Sequence, residues 1–328
     1  MSGRRGQDEL SESRELRATR RTVLTAGAAN IAVAVLKLVA GMIAGSSAML
    51  AESAHSLADT LNQGLLLTSL RLGSRPSDRR HPFGYGQDRY FWSLLSAFGI
   101  FIAGAGFSVF EGILALRRSG TEGSPVLAYA VLAASFVAEG ISLSRAFTQT
   151  RAQARNRKTG LLQHVSDSPD TTVKAALFED SAAIVGLLLA LGGLVLRQLT
   201  GSSVWDGSAS IAIGALLVLV ALRLGRDSRE LLIGRAADDE QLRVIRAEIE
   251  GTPGVDALIE LLTMYLGPDR LIVGARVDLS DDITAGAAES LADGIDRRLT
   301  ERLAVTPHVF LDPTGRAAST FTPGDGGR

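Results

Sequence analysis

Between residues 46 and 72 the chain reads SSAMLAESAHSLADTLNQGLLLTSLRL, and the polar residues in its middle are of types that can bind a cation. Glu52, His55, Asp59, Asn62 and Gln63 stand between flanks apolar enough for a membrane. An ionisable residue near mid-bilayer costs roughly 2.5–3.5 kcal/mol on insertion scales, and one leucine returns only about 0.3–0.6 kcal/mol. Such a helix persists only where its polar face looks at other helices, water or an ion. At about 3.6 residues per turn, positions 52, 55 and 59 fall on one stripe. His55 and Asp59, at i and i+4, can bring an imidazole nitrogen and a carboxylate oxygen to one small cation. The plainer alternative is a polar seam between helices; the cost of intramembrane charge argues for function instead.

A second acidic pair lies at Glu179 and Asp180, in DTTVKAALFEDSAAIVGLLLALGG. The pair falls about a third of the way along an apolar stretch, at a depth that can meet His55 and Asp59. Adjacent residues project about 100° apart on a helix, so the two need not share a target. Asp180 is the better direct ligand, and the longer Glu179 reaches the same ion or a neighbour. A paired structural carboxylate is the alternative. Lys37, inside the first apolar stretch, can pair with an acid or snorkel; packing or pairing is expected over substrate contact. Glu111 and Glu139 each stand beside a glycine, with Glu111 near a predicted outer end.

Six apolar stretches are long enough to span a bilayer: 23–44, 47–70, 91–116, 125–147, 172–197 and 203–223. The segment between the second and third carries Arg71, Arg75, Arg79, Arg80 and Arg89. The segment between the fourth and fifth carries Arg145, Arg151, Arg155, Arg157 and Lys158. The turns at 45–47, 117–125 and 197–207 are poorer in positive charge, although Arg117 and Arg118 run against the trend. The positive-inside rule then puts both termini and both Arg-rich segments in the cytoplasm. The leading MSGRRGQDELSESRELRATRR reads as a cytoplasmic tail and first anchor rather than a cleaved signal peptide. With no presequence rich in Arg and Ser but poor in acids, the expected location is a prokaryotic inner or plasma membrane.

A net charge of −1 leaves no electrostatic footprint for nucleic acid, and the absence of cysteine excludes disulfides, thiolate metal sites and cysteine nucleophiles. After Arg223 the chain turns polar. LRVIRAEIEGTPG reads as an amphipathic helix, DALIELLTMYLGPDRLIVGARVDLS as two strands about a GPD turn, AGAAESLADGIDRRLTERL as a helix and PHVFLDP as a strand. The expected fold is an α-helical membrane protein: six transmembrane helices followed by a small cytoplasmic α+β, ferredoxin-like domain of order α-β-β-α-β. The divisions are a tail at 1–20, a transport domain at 21–225, an α+β dimerisation domain at 226–315 and a disordered tail at 316–328.

HSLAD, RPSDRRHPFGYGQDRYFWSLLSA, FED and the GTPGV…LLTMYLGPDRLIV tail together resemble the cation diffusion facilitator family, in its zinc-transporter-9-like branch. The resemblance covers about residues 21–315. It implies a homodimeric exporter of divalent cations, usually zinc, driven by inward proton movement, with its site between helices 2 and 5. Carried over, His55 and Asp59 match the helix-2 half of that site, and Asp180 the second helix-5 ligand. The first helix-5 ligand, often His in the zinc branch, is Ala176 here. Either Glu179 supplies the fourth ligand or water does. A site so rich in carboxylate suits Mn, Fe or Co better than a two-histidine site does. Asp78 and His81 match a cytoplasmic loop site of some members, but Tyr85 replaces its further histidine, so His81 is expected to fix the loop. His308 is the lone histidine of the tail, which argues against a metal cluster there.

Metal ligands must be deprotonated, so acid competes with metal. His55 carries the group that ordinarily titrates nearest neutral pH and is the natural exchanging ligand. The reading is a secondary active transporter with no tightly bound cofactor, the metal being its substrate. Its partners are protons, the lipid bilayer and a second copy of the chain. A membrane metalloenzyme is disfavoured because neither HExxH nor a nucleophile elbow occurs. The remaining alternative is a membrane-anchored interaction protein whose soluble tail is the active part.

Overall fold

The apolar stretches form helices whose large side chains point outward and whose small ones point in. The computed structural model describes residues 30–117, 126–156, 160, 165 and 171–315. The helices are α1 (Asn30–Ala44), α2 (Ser47–Gly73), α3 (Asp88–Arg117), α4 (Val126–Asn156), α5 (Thr171–Thr200) and α6 (Val204–Ile233). Helices α3, α4, α5 and α6 are long and apolar enough to cross a membrane. The polar stripe of α2 and the short described length of α1 keep those two below that standard. The N-terminal tail, the start of the first apolar stretch, Arg118, Arg157, Lys158 and the last tail lie outside the described residues.

On α1, Ile31, Val35, Leu38 and Met42 are exposed, and on α3 so are Phe98, Phe101, Ile102 and Phe110. In water such faces would be costly; against lipid they are the favoured ones. The interior is lined by Ala40, Ala44, Ala48, Ala51, Ala97, Ala105, Ala182 and Ala190, whose small side chains let helices approach. Lipid tails are as apolar as leucine, so close packing and hydrogen bonds must hold these helices together. Glycines let α3 and α6 approach closely. A Cβ on Gly112 of α3 would stand 2.7 Å from Ile211 Cγ1 and 2.8 Å from the Gly207 carbonyl oxygen, both on α6. The Ser210 hydroxyl donates to the Ser108 carbonyl across the same seam at 2.7 Å. Midway along α3, Ile100–Gly106 widens to a π-helix, a feature that apolar periodicity does not announce.

The chain divides into two compact units, the first built mainly from the helices and the second from Ser69–Phe91 with the chain from Asp227 onward. The second unit contains α7 (Asp239–Glu250), β1 (Val255–Gly267), β2 (Arg270–Leu279), α8 (Ala285–Arg302) and β3 (Thr306–Pro313). This is the α-β-β-α-β order read from the sequence. The three-stranded sheet runs β1-β2-β3, antiparallel then parallel. Asp238 and Thr284 cap the two helices by accepting the N–H groups of Gln241 and Ala287. Alternate residues of β2 (Leu271, Val273, Ala275 and Val277) are buried with Ile245 and Ile249 of α7 and Ile295 and Leu299 of α8. The sheet is thus half-buried, with period two.

Candidate metal site in the helical unit

The α1–α2 turn at Gly45 and Ser46 ends one helix and starts the next, and Ser46 Oγ accepts the Met49 N–H at 3.2 Å. From there α2 carries its polar stripe inward. Helical spacing brings His55 Nε2 to 3.1 Å from Asp59 Oδ2. Both belong to the interior, with His55 buried and Asp59 half-buried. The two atoms are close, yet His55 Nε2 has no aligned hydrogen-bond partner. A nitrogen and a carboxylate oxygen in this relation suit a shared cation as well as a shared proton.

Glu52, one turn earlier, is occupied on one side only. Lys37 of α1 places Nζ 3.2 Å from Glu52 Oε2 and donates to Ser56 Oγ at 2.8 Å. Glu52 Oε1 is buried without a hydrogen bond, and it faces Gly186 of α5, where a Cβ would collide with it. Of the alternatives for Lys37, pairing with an acid is the one the structure contains.

On α5, Glu179 is buried and accepts both of its hydrogen bonds from Asn62 Nδ2, three residues beyond Asp59 on α2. The Ser96 hydroxyl of α3 donates to Asn62 Oδ1. Asp180 points another way and accepts the Ser142 hydroxyl of α4 at 2.8 Å. The structure thus brings His55 and Asp59 together and sets α2 against α5 at their level. It gives Glu179 and Asp180 separate partners. Among the described residues, no three His, Asp or Glu side chains converge on one point. Sequence reasoning missed Asn62 and Ser96 as a bridge between α2, α3 and α5; Asn62 continues the stripe of Asp59 by three residues, which was the available signal.

The loop motif is built differently. Asp78 accepts the Tyr85 hydroxyl at 2.8 Å and the backbone N–H groups of Arg80 and His81 at 2.8 and 2.7 Å. Those bonds, Tyr85 foremost, hold the Asp78 carboxyl below its usual range, and the same bond raises the Tyr85 phenol. His81 packs tilted against Tyr85, with ring centroids 4.3 Å apart and the ring planes 39° from parallel. His308 of β3 meets Phe83 edge-on. Asp78 is thus occupied by its own loop.

The cation efflux transmembrane domain model matches residues 23–233. The chain belongs to the cation efflux family. That is a family of transporters, not of enzymes, and it is the cation diffusion facilitator family that the motifs resemble. The Xenopus laevis proton-coupled zinc antiporter SLC30A9, mitochondrial, is 36% identical over 242 residues, which is 74% of this chain and 43% of that protein. Metal tolerance protein C4 of Arabidopsis thaliana is 34% identical over 262 residues, 80% of this chain and 57% of that protein. Magnetosome protein MamB of Paramagnetospirillum magneticum is 27% identical over 297 residues, 89% and 93% of the two chains. The first two place this cation efflux protein in the zinc-transporter-9-like branch, though it spans only about half the length of those relatives.

Proposed function

We propose that this cation efflux protein exports a divalent metal, zinc foremost and Mn, Fe or Co as alternatives, in exchange for protons. The ion passes between α2 and α5. All six helices α1–α6 cross the membrane in this reading, with both termini and the Arg-rich segments in the cytoplasm. The observation that carries it is the His55–Asp59 pair: 3.1 Å apart, unaligned for a hydrogen bond, and inside a body whose outer face is apolar.

His55, Asp59 and Asp180 are the first ligands, and Glu179 is the fourth when it exchanges Asn62 for the ion. A zinc ion needs nitrogen at about 2.0–2.1 Å and oxygen at about 2.0–2.2 Å, so the carboxylates of α5 must turn from Asn62 and Ser142 to reach it. Several carboxylates in an apolar interior repel one another unless a proton or a cation is among them. Metal binding therefore expels protons, and protons entering from the other side expel metal. Lys37 neutralises Glu52 and keeps that acid out of the exchange. The tail assembles two copies of the chain through its sheet.

Proton release on zinc addition tests the reading. Detergent-solubilised protein in weak buffer should release protons as zinc binds, and His55→Ala should bind zinc with a changed pH dependence. If His55→Ala transports metal with the same pH dependence as the wild type, the imidazole is not the exchanging group.

A further inference from the structure

Asp206 is an acid that the transport site does not use. It stands in the first turn of α6, and its side chain is 1% exposed. Its Oδ1 accepts the Ser46 hydroxyl at 2.6 Å, and its Oδ2 accepts the Ser47 N–H. Because Ser46 also accepts the Met49 N–H, a carboxylate from α6 satisfies the opening turn of α2. There the N–H groups lack partners within the helix and the peptide dipoles end positive. Arg197, near the end of α5, donates to the Gly45 carbonyl and stands 3.6 Å from Asp206 Oδ2. Gly45 sits at φ 59°, a backbone conformation that turns α1 directly into α2 and favours glycine. One point thus ties the α1–α2 turn, the end of α5 and the start of α6.

A neutral Ser or Asn would cap a helix as well as an acid does. A buried carboxylate tolerates desolvation only while its hydrogen bonds are complete. An ion pair with fixed donors is strong when aligned and weak once its members part. That is the behaviour of a latch rather than of a plain cap.

We infer that Asp206 and Arg197 are positioning residues for the transport site: they latch the N-terminus of α2 to α5 and α6 and close the non-cytoplasmic end of the site. The inference rests on the exporter reading, which places the turns at 45–47 and 197–207 away from the cytoplasm. His55 lies eight residues past Ser47, about 12 Å along one unbroken helix, so movement at the latch is movement of the ligand. Parting of the latch swings the end of α2 from α6 and opens an exit for the ion. Re-formation of the latch shuts that exit before protons load.

The chain has no cysteine, so Ser53→Cys provides a single thiol, at a buried position between the latch and His55. Oriented proteoliposomes are treated with a membrane-impermeant maleimide on the side of the 45–47 turn. With the latch intact the thiol reacts slowly. Adding Asp206→Ala, or the milder Arg197→Gln, should speed labelling at least about tenfold, the low end of the factor expected from losing one hydrogen bond to a charged group. Asp206→Glu should restore slow labelling. Zinc flux should fall in the accelerated variants, because an exit that no longer shuts uncouples metal from protons. An unchanged labelling rate in variants that elute as folded protein overturns the latch, and so does acceleration from the cytoplasmic side alone. If the wild type carries no metal while the latch variants still accelerate labelling, the exporter reading fails and the latch stands.

Discussion

Lys37 Nζ lies 3.2 Å from Glu52 Oε2, and neither side chain reaches solvent. This pair joins α1 to the helix that carries His55 and Asp59. Removing one partner of a buried ion pair leaves the other charge uncompensated, at a cost of about 3–5 kcal/mol, whereas replacing both with apolar groups is often neutral. Lys37→Met and Glu52→Leu should each lower the melting temperature sharply in detergent, and the double variant should recover most of the loss. Additive losses in the double variant would show that the two charges do not compensate each other.

Asn62 holds Glu179 through both carboxylate oxygens. Asn62→Leu takes the donors away and should destabilise the metal-free protein by about 1.5–3 kcal/mol, the range for a hydrogen bond to a charged group. If Glu179 faces the ion when metal is bound, zinc replaces the lost donors. Zinc should then raise the melting temperature more in Asn62→Leu than in the wild type. Equal shifts in both proteins would remove Glu179 from the ligand set.

The sequence announced some of this and concealed the rest, for physical reasons. His55 and Asp59 were legible as a pair because helical spacing is a local property. The tail order was legible because periods of two and 3.6, with a GPD turn, are local as well. The partner of Lys37 was legible only as an acid, since nothing in α1 selects Glu52 over other carboxylates. Asn62 and Ser96 meet Glu179 only after three helices assemble. Nothing local in the sequence marks Asp206, because its role depends on Ser46 and Ser47, about 160 positions earlier. The π-helix of α3 leaves hydropathy unchanged and so gave no sign.

The α3–α6 seam predicts a contrast between two glycines. A Cβ on Gly112 would press on Ile211 and on the Gly207 backbone, whereas one on Gly140 of α4 meets nothing within 4 Å. Gly112→Ala should cost about 1–3 kcal/mol, as overpacking does. Gly140→Ala should be neutral or gain up to about 1 kcal/mol of helix propensity. Thermal melts of the two variants in the same detergent check this, and equal behaviour would argue that the seam yields.

The Asp78 loop predicts a protease result and a pH result. The Asp78 carboxyl is depressed in the folded chain, so its contribution is complete above the ordinary carboxylate range and is lost only as pH falls through the depressed value. Loop order should therefore not change between about pH 6 and 8. Asp78→Ala should speed tryptic cleavage after Arg79 and Arg80 at neutral pH, because the Tyr85 hydroxyl and two backbone N–H groups lose their acceptor. Cleavage at the wild-type rate would mean that other contacts hold the loop.

The most direct test of the α2–α5 exchanger is metal uptake into proteoliposomes under an imposed pH gradient, scanning Zn, Mn, Fe, Co and Cd. Wild type is compared with Asp59→Ala and Asp180→Ala, each confirmed as folded. Uptake should be driven by the gradient, greatest for zinc, and abolished in both variants. Uptake that survives in both variants, or no flux of any metal through folded, oriented wild type, would contradict it.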